Sequence, residues 1–163
     1  MHANHVDPDA DDPRPVRDDA TTLNDMRLAA RGDGQAQLRL ARAARRLVLA
    51  QDADDILGSI EGVTYARLAA TQGIPDSLMI LAEHCTHLAF IHYEADAGEI
   101  ADMWLGQAMG VLELAAELLP ASNAGELITS LTVAAEGATP QVLAEAKFFR
   151  DLFSPAFGAA AFA

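Results

Sequence analysis

The chain has 163 residues and carries 24 acids against 11 lysines and arginines, a net charge of −13, so it fits one domain that can bury roughly 70% of its unfolded surface without disulfides or metal. So acidic a chain repels nucleic acid and anionic membranes. A single cysteine, Cys85, excludes an intramolecular disulfide, and neither a secretory signal nor an uninterrupted apolar run of about 18 residues is visible; the expected location is cytoplasmic.

The charge is partitioned along the chain. Residues 1–25 hold seven acids and two arginines, a balance of −5. Residues 26–50 hold six arginines and one acid, +5, and residues 51–163 hold sixteen acids and three bases, −13. The apolar share is 51%, and much of it is alanine, which loses no side-chain entropy in a helix. β-branched residues are scattered singly, which argues against strands.

Residues 1–20 are rich in Asp and Pro and lack an apolar pattern, so they read as a disordered acidic tail. The tail either solubilises or folds back on the arginines of 39–46. A short helix over 22–31 is broken at Gly32-Asp33-Gly34, where Arg31-Gly32-Asp33 reads as a turn rather than an adhesion tripeptide. Residues 35–50 form the first strong helix, with Leu40, Ala41, Ala44, Leu47 and Val48 on one face and Arg39, Arg42, Arg45 and Arg46 opposite. Asp52 reads as the cap of a second helix, supported by Asp54 and Asp55 in its first turn. That helix ends near Thr71, with Gly73 as a left-handed cap.

Pro75 opens a third helix to about residue 95. A fourth runs from Ala97 to Leu119, with Ile100, Trp104, Ala108, Val111, Leu112, Leu118 and Leu119 on an apolar arc. Its polar stripe holds Glu99, Asp102, Glu113 and Glu117. Asn123 to Glu126 reads as a capping box for a fifth helix ending near Gly137. Thr139-Pro140 caps a sixth, which buries Val142, Phe148, Phe149, Leu152 and Phe153 and ends at Pro155. The expected fold is all-α, an antiparallel bundle of five or six helices over 21–155, with an apolar tail at 156–163.

Glu83, His87 and Glu94 fall within an arc of about 40° on the third helix. Carboxylate and imidazole on one stripe can hold a divalent metal if a facing helix adds ligands, and Glu99, Asp102 or Glu113 could supply them. The competing reading is a solvated face with an ordinary i,i+4 pair. Cys85 and His92 lie two turns apart, about 10 Å along the axis, too far to act as nucleophile and base. Residues 65–82 have the pattern of a helix-turn-helix, yet the would-be recognition helix offers no Lys or Arg. Gly58 and Gly62, and Gly106 and Gly110, have a Gly-x-x-x-Gly spacing. They read as surface positions, the alternative being close contact with another chain, including a second copy.

No phosphate loop, nucleophile elbow or zinc-type cysteine set is present, so no catalytic residue and no cofactor is assigned. The favoured function is a non-enzymatic interaction protein: an adaptor, a chaperone-like protein or an inhibitor of a basic protein partner. Arg39, Arg42, Arg45 and Arg46 would form one contact face, and Glu99, Asp102, Glu113 and Glu117 another. The alternatives are a bundle that binds a metal or small ligand through Glu83, His87 and Glu94, and a regulator using the degenerate helix-turn-helix.

Overall fold

The computed structural model describes residues 19–50, 56–118 and 121–158, with the backbone alone at 19–20, 50 and 121–124. Among the described residues seven helices follow one another: α1 Asp19–Ala30, α2 Gly34–Ala50, α3 Ile56–Ala70, α4 Asp76–Glu94, α5 Gly98–Leu118, α6 Ala121–Gly137 and α7 Pro140–Phe157. No strand occurs among the described residues, and no described helix is long and apolar enough to cross a membrane. Residues 1–18 of the expected acidic tail, residues 51–55, Leu119, Pro120 and residues 159–163 lie outside the described residues, and α1 takes up the last two positions of that tail.

The short segment expected at 22–31 is a helix over Asp19–Ala30, which brings the count among the described residues to seven. Its anchor is Asp25, only 7% exposed, whose carboxylate accepts from Arg39 Nε at 3.1 Å and Arg39 Nη2 at 2.7 Å. Leu28 and Ala29 pack with Ala36 and Leu40 of α2.

Local chemistry sets the breaks. After α1, Gly32 takes φ +88°, and Asp33 N–H returns to the Leu28 carbonyl at 3.1 Å. Asp33 Oδ1 then accepts from Ala36 N–H at 2.8 Å and so caps α2. Arg31-Gly32-Asp33 is thus a stop and a start in one turn. Gly73 takes φ +72° between α3 and α4 and has a second constraint, because a Cβ there would lie 2.6 Å from the Ala156 carbonyl oxygen. Thr139 Oγ1 accepts from Val142 N–H at 3.2 Å and caps α7, as expected.

Two boundaries differ from expectation. α6 begins at Ala121, two residues before the proposed capping box. α7 continues through Pro155 to Phe157, because buried Phe157 extends its apolar face into the core.

The main core draws Leu38 and Ala41 from α2, Val63 and Ala66 from α3, and Leu81, Cys85 and Leu88 from α4. Val111 and Leu114 of α5 and Phe153 and Phe157 of α7 complete it. On α7 the buried series is Val142, Ala146, Phe153 and Phe157, whereas Phe148 and Leu152, expected inside, are exposed. Their positions fall on the far side of that stripe at helical pitch. Ile100, placed on the α5 apolar arc, is likewise exposed.

Gly106 and Gly110 are buried, not surface positions. A Cβ on Gly106 would lie 2.7 Å from the Val142 carbonyl oxygen, and one on Gly110 would lie 2.1 Å from that of Ala146. The spacing therefore marks backbone-to-backbone approach of α5 and α7 within one chain. Met109, Val142 and Ala146 close this seam from the side, joined by Leu131, Ala135 and Ala138.

A glycine pair separates packing from propensity. Gly125 lies in α6, and a Cβ added there would meet nothing within 4 Å, so Gly125→Ala should stabilise by about 0.5–1 kcal/mol through propensity alone. Gly110→Ala gains the same propensity but forces the helices apart, and should destabilise by a net ~1–3 kcal/mol. Urea unfolding of both variants checks the opposite signs.

Candidate functional site

The stripe Glu83–His87 is half-buried. It forms one side of a cleft of about 650 Å³ between α2, α4, α5 and the start of α6, within the usual 300–1,000 Å³ range of small-molecule sites. Val48 and Leu49 come from α2, Met79 and Phe90 from α4, Leu112 from α5 and Leu127 from α6. These six side chains make the walls apolar. The polar groups are Arg45, Glu83, His84, Thr86 and His87.

Arg45 Nε lies 2.6 Å from Glu83 Oε2. The contact is an ion pair without hydrogen-bond alignment, since Glu83 Oε2 is buried and has no hydrogen-bond partner in the protein. His87 Nε2 is also buried without a protein partner. Arg45 and Glu83 cancel in charge, so the polar end of the cleft offers one carboxylate acceptor and one imidazole nitrogen with little net field.

His84 stands behind this pair. Its Nε2 is 3.1 Å from the Ala41 carbonyl, and a carbonyl only accepts, so Nε2 carries the proton and donates. Gly62 makes room for the ring: a Cβ there would fall 2.1 Å from Nε2. Burial holds the His84 pKa below its ordinary value, the Ala41 bond opposes that, and the charges of His87 and Arg45 lower it further. The ring is therefore a neutral strut between α2, α3 and α4.

The rest of the expected metal stripe is not brought together. Glu94 is the last residue of α4, exposed and away from the cleft lining. Among the described residues no three His, Cys, Asp or Glu side chains are grouped as a metal would require. In place of acids from a facing helix, Glu83 meets a guanidinium.

The expected partner faces are largely engaged inside the chain. Arg39 holds Asp25, Arg42 Nη2 lies 2.7 Å from Asp76 Oδ2, and Arg45 holds Glu83; Arg46 is exposed. On α5, Asp102 Oδ2 accepts from the Thr139 hydroxyl at 2.9 Å, and Glu117 pairs with Arg150. The Glu99 carbonyl accepts from Gln141 at 3.3 Å. Glu113 lines a second cleft of about 490 Å³ with Glu117, Arg150 and the α6 residues Ile128, Leu131, Thr132 and Ala135. Burial raises its pKa; Arg150 lowers it and Glu117 raises it again.

Cys85 is fully buried, and burial pushes its thiol up to about 12 against the opposing influence of Arg67. His92 Nδ1 donates to the Leu88 carbonyl at 2.8 Å, so the two share no chemistry. The proposed recognition helix is the most embedded element: Ser77, Leu78, Ile80, Leu81 and Ala82 are all buried, which gives DNA reading through it no support.

Sequence reasoning missed the apolar walls, although a signal existed. Met79, Glu83, His87 and Phe90 share one stripe at helical pitch, and an ordinary solvated face does not carry Met and Phe at both ends. Compared with protein-family models, curated proteins and solved structures, the chain matches none.

The His84 strut has a pH consequence. In the unfolded chain its imidazole takes a proton as pH falls past about 6.5, whereas the folded ring resists, so stability is lost as pH falls below that value. His84→Gln removes this contribution. The stability gap between parent and variant should narrow from pH 7 to pH 5, by at most about 1.4 kcal/mol per pH unit, as read by urea unfolding at each pH.

Proposed function

We propose that this helical bundle is a non-enzymatic binding protein for a small, uncharged, mainly apolar molecule that carries one polar group. The carrying observation is the cleft of about 650 Å³ whose walls are apolar and whose polar end holds Glu83 Oε2 and His87 Nε2, both buried without a hydrogen-bond partner. Unsatisfied buried polar atoms are costly; a ligand hydroxyl or amide would satisfy His87 Nε2, while Glu83 Oε2 has the Arg45 ion pair and lacks only an aligned hydrogen bond. Arg45 beside Glu83 argues for a neutral ligand: it repels a divalent cation, and Glu83 repels an anion. This revises the Glu83, His87 and Glu94 set, keeping the first two and replacing the third with Arg45.

The test uses N-phenyl-1-naphthylamine, an uncharged apolar fluorophore. Its emission should rise saturably with one site per chain. Thr86 is exposed and lines the cleft, so Thr86→Phe should fill it, weaken binding at least tenfold and leave the melting temperature unchanged. Linear, unsaturable uptake, or uptake indifferent to Thr86→Phe, rejects the reading.

A second reading, docking of a basic protein partner, is favoured by one observation. Glu94, Asp96 and Glu99 are all exposed around the α4–α5 turn. Neutralising them together as Glu94→Gln, Asp96→Asn and Glu99→Gln should remove any complex recovered at low salt. A lone protomer at every salt concentration sets this reading aside.

A further inference from the structure

On another face, where α3, α5 and α7 meet, a half-buried cation has no anion beside it among the described residues. The Arg67 guanidinium carbon lies 5.8 Å from the Trp104 ring centroid and 5.4 Å from that of Phe149. Arg67 Nη2 donates to Gln107 Oε1, which fixes the amide orientation, because a guanidinium can only donate. No carboxylate pairs with Arg67 among the described residues. Burial lowers its pKa, and the opposing influence comes from Cys85. That thiol, held at about 12, is neutral at pH 7.

The surrounding polar atoms share one sign. Arg67 Nε, Gln107 Nε2 and Trp104 Nε1 are all buried and have no hydrogen-bond partner in the protein. Gln107 is only 1% exposed. Three orphaned donors on neighbouring side chains, one of them on a charged fork that packs near two rings, call for an acceptor that the protein does not provide. We infer that Arg67, Gln107 and Trp104 form a buried site for one singly charged carboxylate group, the carboxyl of a small organic acid.

Charge and shape select that class. One guanidinium balances one negative charge, and no second cation is in the cluster to balance a phosphate dianion. The planar fork matches two oxygens of a carboxylate better than a spherical halide. The site shares no residue with the cleft at Glu83 and His87, so it stands or falls separately.

Trp104 is the chain's sole tryptophan, so its indole N–H gives a single side-chain signal in a nitrogen–proton correlation spectrum. Sodium acetate, sodium chloride and sodium phosphate, matched in ionic strength, are titrated into the full chain. Acetate should move the Trp104 signal saturably and raise the melting temperature along the same curve; chloride and phosphate should not. Gln107→Leu should weaken acetate at least tenfold, and Arg67→Lys, which keeps the charge but loses the fork, should do likewise. An acetate response that fails to saturate, or that chloride reproduces, overturns the site. So does an unchanged affinity in either folded variant. Phosphate binding in place of acetate overturns the single-charge assignment. If neither variant folds, the parent's indole shift and melting curve still decide.

Discussion

The close approach of α5 and α7 governs how the other helices are arranged. Two carbonyls of α7, those of Val142 and Ala146, rest where the Gly106 and Gly110 side chains would be. With the backbones that near, the α7 apolar stripe reaches over the core and delivers Phe153 and Phe157 to it. The same placement brings Phe149 against Arg67 and the Ala156 carbonyl against Gly73. Fully buried alanines such as Ala66, Ala69, Ala70, Ala101 and Ala41 continue the theme elsewhere. Close backbone packing gains many weak dispersion contacts. Longer side chains, Met79 and Leu112 among them, line the larger of the two clefts.

Electrostatics locks this arrangement more than it advertises a surface. The basic segment in an acidic chain looks like an external contact face, yet three of its arginines reach across to acids of α1 and α4. Exposed pairs of this sort add little individually. The Arg39–Asp25 pair differs, because Asp25 is buried and takes bonds on both carboxylate oxygens. Burying its carboxylate without Arg39 would be strongly unfavourable, so the pair fixes where α1 sits on α2.

Features fixed by local chemistry were legible in the sequence. Helical content follows from alanine and apolar pitch. The stops at Gly32 and Gly73 and the cap at Thr139 follow from φ preference and hydroxyl geometry. Features decided by distant residues were not. Nothing near Gly106 indicates that Val142 lies over it, and nothing near Glu83 names Arg45 as its neighbour. Pro155 reads locally as a stop, but burial of Phe157 carries the helix beyond it. Arg67 gives no signal by itself, because one arginine in a helix is ordinary until the rings of Trp104 and Phe149 are seen around it.

α6 leans on the rest through a narrow line of contacts and stands between the two clefts. Leu127 closes one of them, and its neighbour Ile128 opens onto the other. Adjacent residues on one rigid rod cannot move independently. Any roll of α6 about its axis swings both side chains through the same angle, so the two hollows share a partition and their widths are mechanically linked.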